Sequence, residues 1–257
     1  MTFGEMRDAY DESADAWAAG PESVYVKLAD ALVAASPVRL AGAWVLDLGA
    51  GTGVASRAAL AAGAAGVVGV DVADGMLRRG RGAFLPVLAD AAALPFGAAC
   101  VDLVVAACCL GHLPDPVRAL RETRRVGTAI VASAFEAGWT HPAKAAVEAA
   151  LEPLGFQPPE WYVALKRDVE PQVDDPDGLA GLARAAGYGQ VDVRTIEVAT
   201  GVDTPAGLAA WRLGMAHLAP YLSSLGPGQQ AAARRVAEDA LVGAPPLVVP
   251  LVVLVAS

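Results

Sequence analysis

Apolar residues along this chain fall into alternating short runs and helical periods. Runs at 44–48, 67–71, 85–88, 101–107 and 128–134 predict buried strands, and the stretches between them suit helices. Strand and helix in alternation mark a parallel sheet with crossover helices. One crossover has a clear start. Asp115 can cap the first amides and Pro116 suits the first helical position, so a helix is predicted to about Arg125. The pattern resumes with a helix over Pro176–Ala186 stopped by Gly187, an alternating strand at 191–198 and an apolar strand at 247–255. Upstream, residues 1–40 read as helical, with Val24, Leu28, Leu32 and Val33 in helical period. Two stretches interrupt the rhythm. Residues 135–176 hold Pro142, Pro153, Pro158, Pro159, Pro171 and Pro176, which reads as a substrate-covering insertion. Residues 203–242 predict two helices, opened near Thr204-Pro205 and Gly226-Pro227.

Composition narrows the class. A chain of 257 residues suits one α/β domain over 41–257 with two insertions, preceded by a helical cap over 1–40. The net charge of −9 argues against a nucleic-acid partner, which needs a basic stripe. Arg78, Arg79 and Arg81, and again Arg121, Arg124 and Arg125, read as solvated helix faces. Cys100, Cys108 and Cys109 have neither zinc-site nor disulfide-framework spacing, so no metal is expected, and buried, reduced thiols fit a cytoplasmic location. The apolar stretch 247–256 has about half the ~20 residues of a membrane span, so no membrane partner is expected.

The first strand runs into Asp47 and then Gly49, Gly51 and Gly53 at alternate positions. Such a loop, opening a helix, is a nucleotide-type cradle. The dinucleotide fingerprint fails: its third glycine position falls on Val54 or Ser56, depending on register. A P-loop fails too, because no lysine lies near. A carboxylate inside the cradle repels a diphosphate and suits a ligand with positive charge.

In these residues the chain resembles the class I S-adenosylmethionine-dependent methyltransferases. Asp47 to Gly53 matches that family's first motif; Val67 to Asp71, Leu88-Ala89-Asp90-Ala91, Cys100 to Val105 and Leu110 to Asp115 match later segments in order. The similarity is to the ubiquinone-type branch, whose members methylate small molecules. One departure stands out: Arg125-Val126-Gly127 replaces the family's Leu-x-Pro-Gly-Gly turn. The resemblance implies an α/β doubly wound fold with a seven-stranded, mostly parallel sheet in the order 3-2-1-4-5-7-6. It also implies that the insertions form a lid, and that the cofactor is S-adenosylmethionine. Gly49, Ala50, Gly51 and Gly53 then bring backbone to the methionine and ribose, Asp47 orients that end and Asp71 takes the ribose hydroxyls. Val72 and Met76 wall the adenine, Asp90 and Ala91 meet its edge, Ala107 and Cys108 lie beneath the methionine, and Tyr10 folds over the cofactor.

Methyl transfer from a sulfonium is a direct displacement, and orientation alone can supply roughly 7–11 kcal/mol of the barrier. A base is needed only for a protonated nucleophile. The candidates are His112, His141 and His217. Trp17, Phe135, Trp139, Trp211 and Tyr221 are candidates to line a site for a flat or greasy acceptor, with Trp161 and Tyr162 in the same insertions. The expected activity is methylation of an oxygen, nitrogen or carbon of a small organic acceptor, a secondary metabolite or quinone-like compound, by a monomer or homodimer. Two alternatives stay open. A bound sulfonium could assist another reaction such as a cyclisation, which adds no CH₂ to the product. A non-catalytic binding module should show a damaged cofactor motif, and this one is intact.

Overall fold

The computed structural model describes residues 3–257. Its strands are β1 (Trp44–Leu48), β2 (Gly66–Asp71), β3 (Leu85–Leu88), β4 (Leu103–Ala106), β5 (Ile130–Phe135), β6 (Val191–Ala199) and β7 (Val248–Ala256). They form one sheet in the order β3-β2-β1-β4-β5-β7-β6. Pairs from β3 through β5 are parallel, and β7 runs antiparallel to both β5 and β6. The helices are α1 (Phe3–Glu12), α2 (Ala14–Ala19), α3 (Glu22–Ala34), α4 (Val54–Ala61), α5 (Asp74–Arg79) and α6 (Pro116–Val126). They continue with α7 (Pro142–Leu151), α8 (Glu160–Ala164), α9 (Pro176–Ala185), α10 (Pro205–Leu213), α11 (Ala219–Ser224) and α12 (Pro227–Asp239).

Side chains alternate across a strand, so each central strand feeds two cores. Val45, Leu103, Val105, Val131 and Val253 join residues of α3, α4, α7, α10 and α12 on one face. Leu46, Leu48, Val104, Ile130 and Leu254 join α6 and α9 on the other. The result is a three-layer sandwich with the strand ends of β1, β2 and β4 opening onto the same side. A third, small cluster of Met6, Trp161, Leu165, Val169 and Ala216 ties α1 to both insertions.

The expected starts and stops have visible causes. The Asp115 carboxylate accepts the Arg118 amide, with Pro116 next to it, and Gly187 beyond α9 has φ +99°. The departure at 125–127 is absorbed by a parallel bridge between Val101 and Gly127.

Four expectations need correction. The helical stretch over 1–40 ends at Ala34, since Pro37 pushes the preceding residue out of helical geometry; Met1 and Thr2 lie outside the described residues. The strand at 101–107 is shorter, Leu103–Ala106. The 203–242 segment holds three helices rather than two; α11 is six residues long, too short to show an apolar period. Cys100 is exposed, while Cys108 and Cys109 are buried.

Candidate functional site

The glycine loop follows β1. Gly49, Gly51 and Gly53 all take left-handed backbone, with φ +68°, +53° and +85°. A Cβ at Gly49 would lie 2.6 Å from Cys109 Sγ and one at Gly53 2.4 Å from the Phe84 ring, whereas one at Gly51 meets nothing within 4 Å. Gly49 and Gly53 are thus held by packing as well as by φ, while Gly51 faces open space. The Gly49 and Ala50 amides donate to Val70 O at 2.8 and 2.9 Å, which hangs the loop from the end of β2.

Two carboxylates face the same cleft. Asp71 Oδ2 accepts from the Gly51 amide at 2.8 Å and Oδ1 from the Ala73 amide at 2.9 Å. Burial raises its pKa, against those amides. Asp47 is buried, and its Oδ2 accepts from the Ser56 hydroxyl at 2.6 Å. Burial pushes Asp47 up to about 6, with Ser56 pulling the other way. Their hydrogen-bond partners are amides and a hydroxyl rather than a cation. Arg7, at the rim, is ion-paired with Asp8 at 2.7 Å.

Tyr10, Trp17, Val72, Met76, Ala91, Ala107 and Cys108 line this cleft together with Asp47, Gly49, Ala50, Gly51 and Asp71. Gly53 and Asp90 do not. Gly53 caps α4 against Phe84, and the exposed Asp90 turns its carboxylate onto its own chain, accepting the Ala92 amide at 2.8 Å. Cys108, two residues beyond β4, has φ +51°, unusual for a residue with a side chain. Its amide donates to Ser133 Oγ at 3.1 Å, and burial pushes its thiol up to about 12. Ser56, Thr52 and Cys109 were not foreseen, and Asp11 reaches from α1 to accept the Gly75 amide at the start of α5. Asp11 reaches Gly75 and Cys109 reaches Gly49 from distant segments, and Thr52 and Ser56 lie on the loop and on α4, where a lone hydroxyl carries no periodic signal.

A second cavity of about 340 Å³ adjoins the cleft and shares Tyr10, Tyr25 and His112 with it. An aromatic chain runs through both. Tyr10, Trp17, Tyr25, Phe135, Trp139 and Trp211 follow one another with ring centroids 4.8–6.4 Å apart, and Phe135 stacks on Trp139 at 11°. Trp161 and Tyr162 from the first insertion and Trp211 and His217 from the second complete the walls. Trp17 lines the glycine-loop cleft rather than the second cavity.

The histidines separate by environment. His112 Nε2 lies 2.9 Å from Tyr10 Oη. Burial lowers the imidazole pKa and raises the phenol well above its usual value, so neutral His112 accepts and Tyr10 donates. His141 caps α7: Nδ1 accepts the Ala143 amide at 3.2 Å and Nε2 donates to Pro245 O at 3.1 Å. It lines neither cavity, and both nitrogens are engaged. His217 is buried in the second cavity's wall, stacked on Tyr162 at 3.8 Å, and accepts from Arg212 Nη2 at 3.1 Å; burial pushes it down to about 4. Tyr221 lies away from both cavities, donating to Leu154 O and packing on Phe156. Lys144 and Arg212 were not foreseen in the second cavity. No group of three His, Cys, Asp or Glu side chains is placed to hold a metal among the described residues. No helix among them is long and apolar enough to cross a membrane.

The cleft fits S-adenosylmethionine on its own chemistry. Buried Asp47, without an ion partner, suits a cationic end, half-buried Asp71 can accept from ribose hydroxyls, and Gly51 presents backbone with open space before it.

Comparison with known proteins agrees. Residues 46–129 match the family model described as a methyltransferase domain. The chain is 31% identical over 213 residues to a ubiquinone/menaquinone biosynthesis C-methyltransferase of Acidiphilium cryptum, covering 76% of this chain and 84% of that one. It is 33% identical over 211 residues to a demethylmenaquinone methyltransferase of Clavibacter sepedonicus, covering 76% and 83%. Among solved structures it is similar to a protein described as a methyltransferase from an antibiotic biosynthesis pathway of Anabaena variabilis. The TM-score there is 0.61 at 14% identity, covering 91% of this chain and 99% of the other, a likeness of fold alone.

Proposed function

Because this chain belongs to the class I S-adenosylmethionine-dependent methyltransferases, we propose that its acceptor is a planar hydroxylated aromatic or quinol-like molecule, methylated where the two cavities meet. The enzyme transfers a methyl group from S-adenosylmethionine to a small molecule. One observation carries the reading of the acceptor: Tyr10, Tyr25 and His112 belong to both cavities, and the second is walled by aromatic rings. The quinone-pathway names of the two relatives point the same way.

Bound S-adenosylmethionine supplies a methyl group already activated by positive sulfur. The chain's task is to align an acceptor atom with it and keep water out. Gly49, Ala50 and Gly51 offer backbone to the methionine and ribose, Asp71 takes the ribose hydroxyls and Asp47 faces the cationic end. Val72, Met76 and Ala91 wall the adenine, with Ala91 rather than Asp90 against its edge. Ala107 and Cys108 floor the methionine, and Tyr10 and Trp17 close over it. An acceptor hydroxyl donates to Tyr10 Oη while Tyr10 passes its proton to His112 Nε2, so neutral His112 is the base acting through Tyr10. Residues 135–176 and 203–242 act as the lid, since both supply acceptor-cavity walls. We place the enzyme in the cytoplasm, in secondary metabolism, as a monomer or homodimer acting on no nucleic acid; its free thiols suit a reducing compartment.

The test is mass spectrometry of hydroxyaromatic acceptors incubated with enzyme and S-adenosylmethionine carrying a labelled methyl group. The expected product gains one labelled methyl. Turnover of an acceptor without mass gain favours a cyclisation. Firm cofactor uptake with no product from any hydroxyaromatic removes the acceptor class.

A further inference from the structure

We propose that the acceptor carries a carboxylate, held in the second cavity by Lys144 of α7 and by Trp211 and Arg212 of α10. The inference rests on reading that cavity as the acceptor site. Among the described residues, the buried side-chain nitrogens and oxygens without a hydrogen-bond partner are Trp211 Nε1 and Arg212 Nε. Both residues are 3% exposed and both line this cavity. A buried donor left unpaired is costly, so two of them on adjacent residues of one wall point to a ligand that accepts from both.

Arg212 is not free to satisfy itself. Its Nη2 is engaged by Glu148 Oε1 and His217 Nε2, each at 3.1 Å, which fixes the guanidinium and leaves Nε aside. Lys144 adds a cation. Its Nζ donates to Trp139 O at 3.2 Å and sits 3.8 Å from the Trp139 ring centroid, and its recorded polar contact is that carbonyl rather than a carboxylate. Burial lowers its pKa to about 8, and the nearby charges of Lys166 and Arg212 add to this.

The acids on the cavity walls, Glu136, Glu170 and Asp174, stand off α7 and α10, and Glu170 is paired with Lys166 at 2.7 Å while Glu136 accepts from Thr195 Oγ1 at 3.1 Å. The side of the cavity made by α7 and α10 is therefore the one suited to an anion. The Phe135–Trp139 stack, beside Lys144 and Trp211, suits the flat body attached to it. Tyr10 and His112 stand on other elements, so the acceptor lies with its acid on α7 and α10 and its reacting hydroxyl toward the cofactor cleft.

The experiment is calorimetry on the full chain saturated with S-adenosylhomocysteine, titrated at neutral pH with 6-hydroxy-2-naphthoate and with 2-naphthol. Wild type should bind the acid about tenfold or more tightly than the neutral phenol. Lys144→Gln and Trp211→Phe should each narrow that preference several-fold, with S-adenosylhomocysteine uptake unchanged as the check that the variant is folded. Equal binding of both probes by wild type, or a preference intact in both variants, overturns the inference. If 2-naphthol binds as well as the acid, only the carboxylate site falls. If neither arene binds while S-adenosylhomocysteine does, the acceptor reading falls with it. Should a variant fail to take up S-adenosylhomocysteine, the wild-type comparison still decides.

Discussion

Asp47→Asn should make the cofactor-free protein more stable and the cofactor bind less well. Asp47 is 1% exposed and its pKa is pushed from 3.8 to about 6, chiefly by burial. A difference of about 2 units corresponds to about 3 kcal/mol between the protonation states, at about 1.4 kcal/mol per unit. The folded pKa lies above the unfolded one, so the folded state binds the proton more tightly. Stability on this account falls as pH rises from about 4 through about 6 and is flat beyond. Asparagine is neutral throughout and can still accept from the Ser56 hydroxyl that Asp47 now holds at 2.6 Å. The variant should therefore match wild type near pH 4 and exceed it by up to about 3 kcal/mol near pH 7.5, an increase in Tm of roughly 6–12 °C for a chain of this size. Binding should move the opposite way, because a cationic ligand loses a facing carboxylate; a loss of about tenfold or more is expected. Thermal unfolding from pH 4 to 8, with calorimetry for S-adenosylmethionine, reads both effects. A variant that is less stable at both ends of the range, or that binds the cofactor as wild type does, refutes the reasoning.

Gly53→Ala sets a methyl 2.4 Å from the Phe84 ring and should lower Tm; Gly51→Ala meets open space, so beyond about 1–3 kcal/mol of backbone strain its main loss should be cofactor affinity by calorimetry. His112→Ala should cut kcat by roughly 10²–10⁴ with little change in cofactor affinity, and Tyr10→Phe should follow it in direction; unchanged turnover in both would leave catalysis to alignment alone. His141→Ala should keep turnover but lose about 1 kcal/mol with the α7 cap, read by denaturant unfolding. Iodoacetamide at neutral pH should label exposed Cys100 in the folded protein while sparing Cys108 and Cys109, whose thiols burial keeps protonated; peptide mapping checks this.

What could be read along the chain was what neighbouring residues settle among themselves. The strand at 44–48, the Asp115-Pro116 helix start and the Gly187 stop each follow from apolar period, a cap or a permitted φ, within a few residues of one another. The glycine loop is local in the same way, and Gly49 and Gly51 line one cleft, which Asp71 joins from the end of β2. Two local readings failed for different reasons: α11 has too few turns to show a period, and the helical cap was carried past Pro37, a breaker already present in the sequence.

Roles of single polar side chains were not local. His112, His141 and His217 are the same group in the sequence, yet one meets Tyr10 across 102 positions, one caps its own helix and one is stacked beneath Tyr162. Arg212 finds Glu148 across 64 positions, and Asp47 takes its proton affinity from how completely the sheet and α4 exclude water. The amino-acid order by itself determined the strands, the crossover helices and the backbone cradle, because hydrophobic period, caps and permitted φ act over a few residues, while the order of strands in the sheet was implied by the family resemblance and is made by pairings between distant segments. Only the tertiary structure decided which charges are desolvated and which donors are left unpaired, because burial and partner geometry depend on segments distant in the chain.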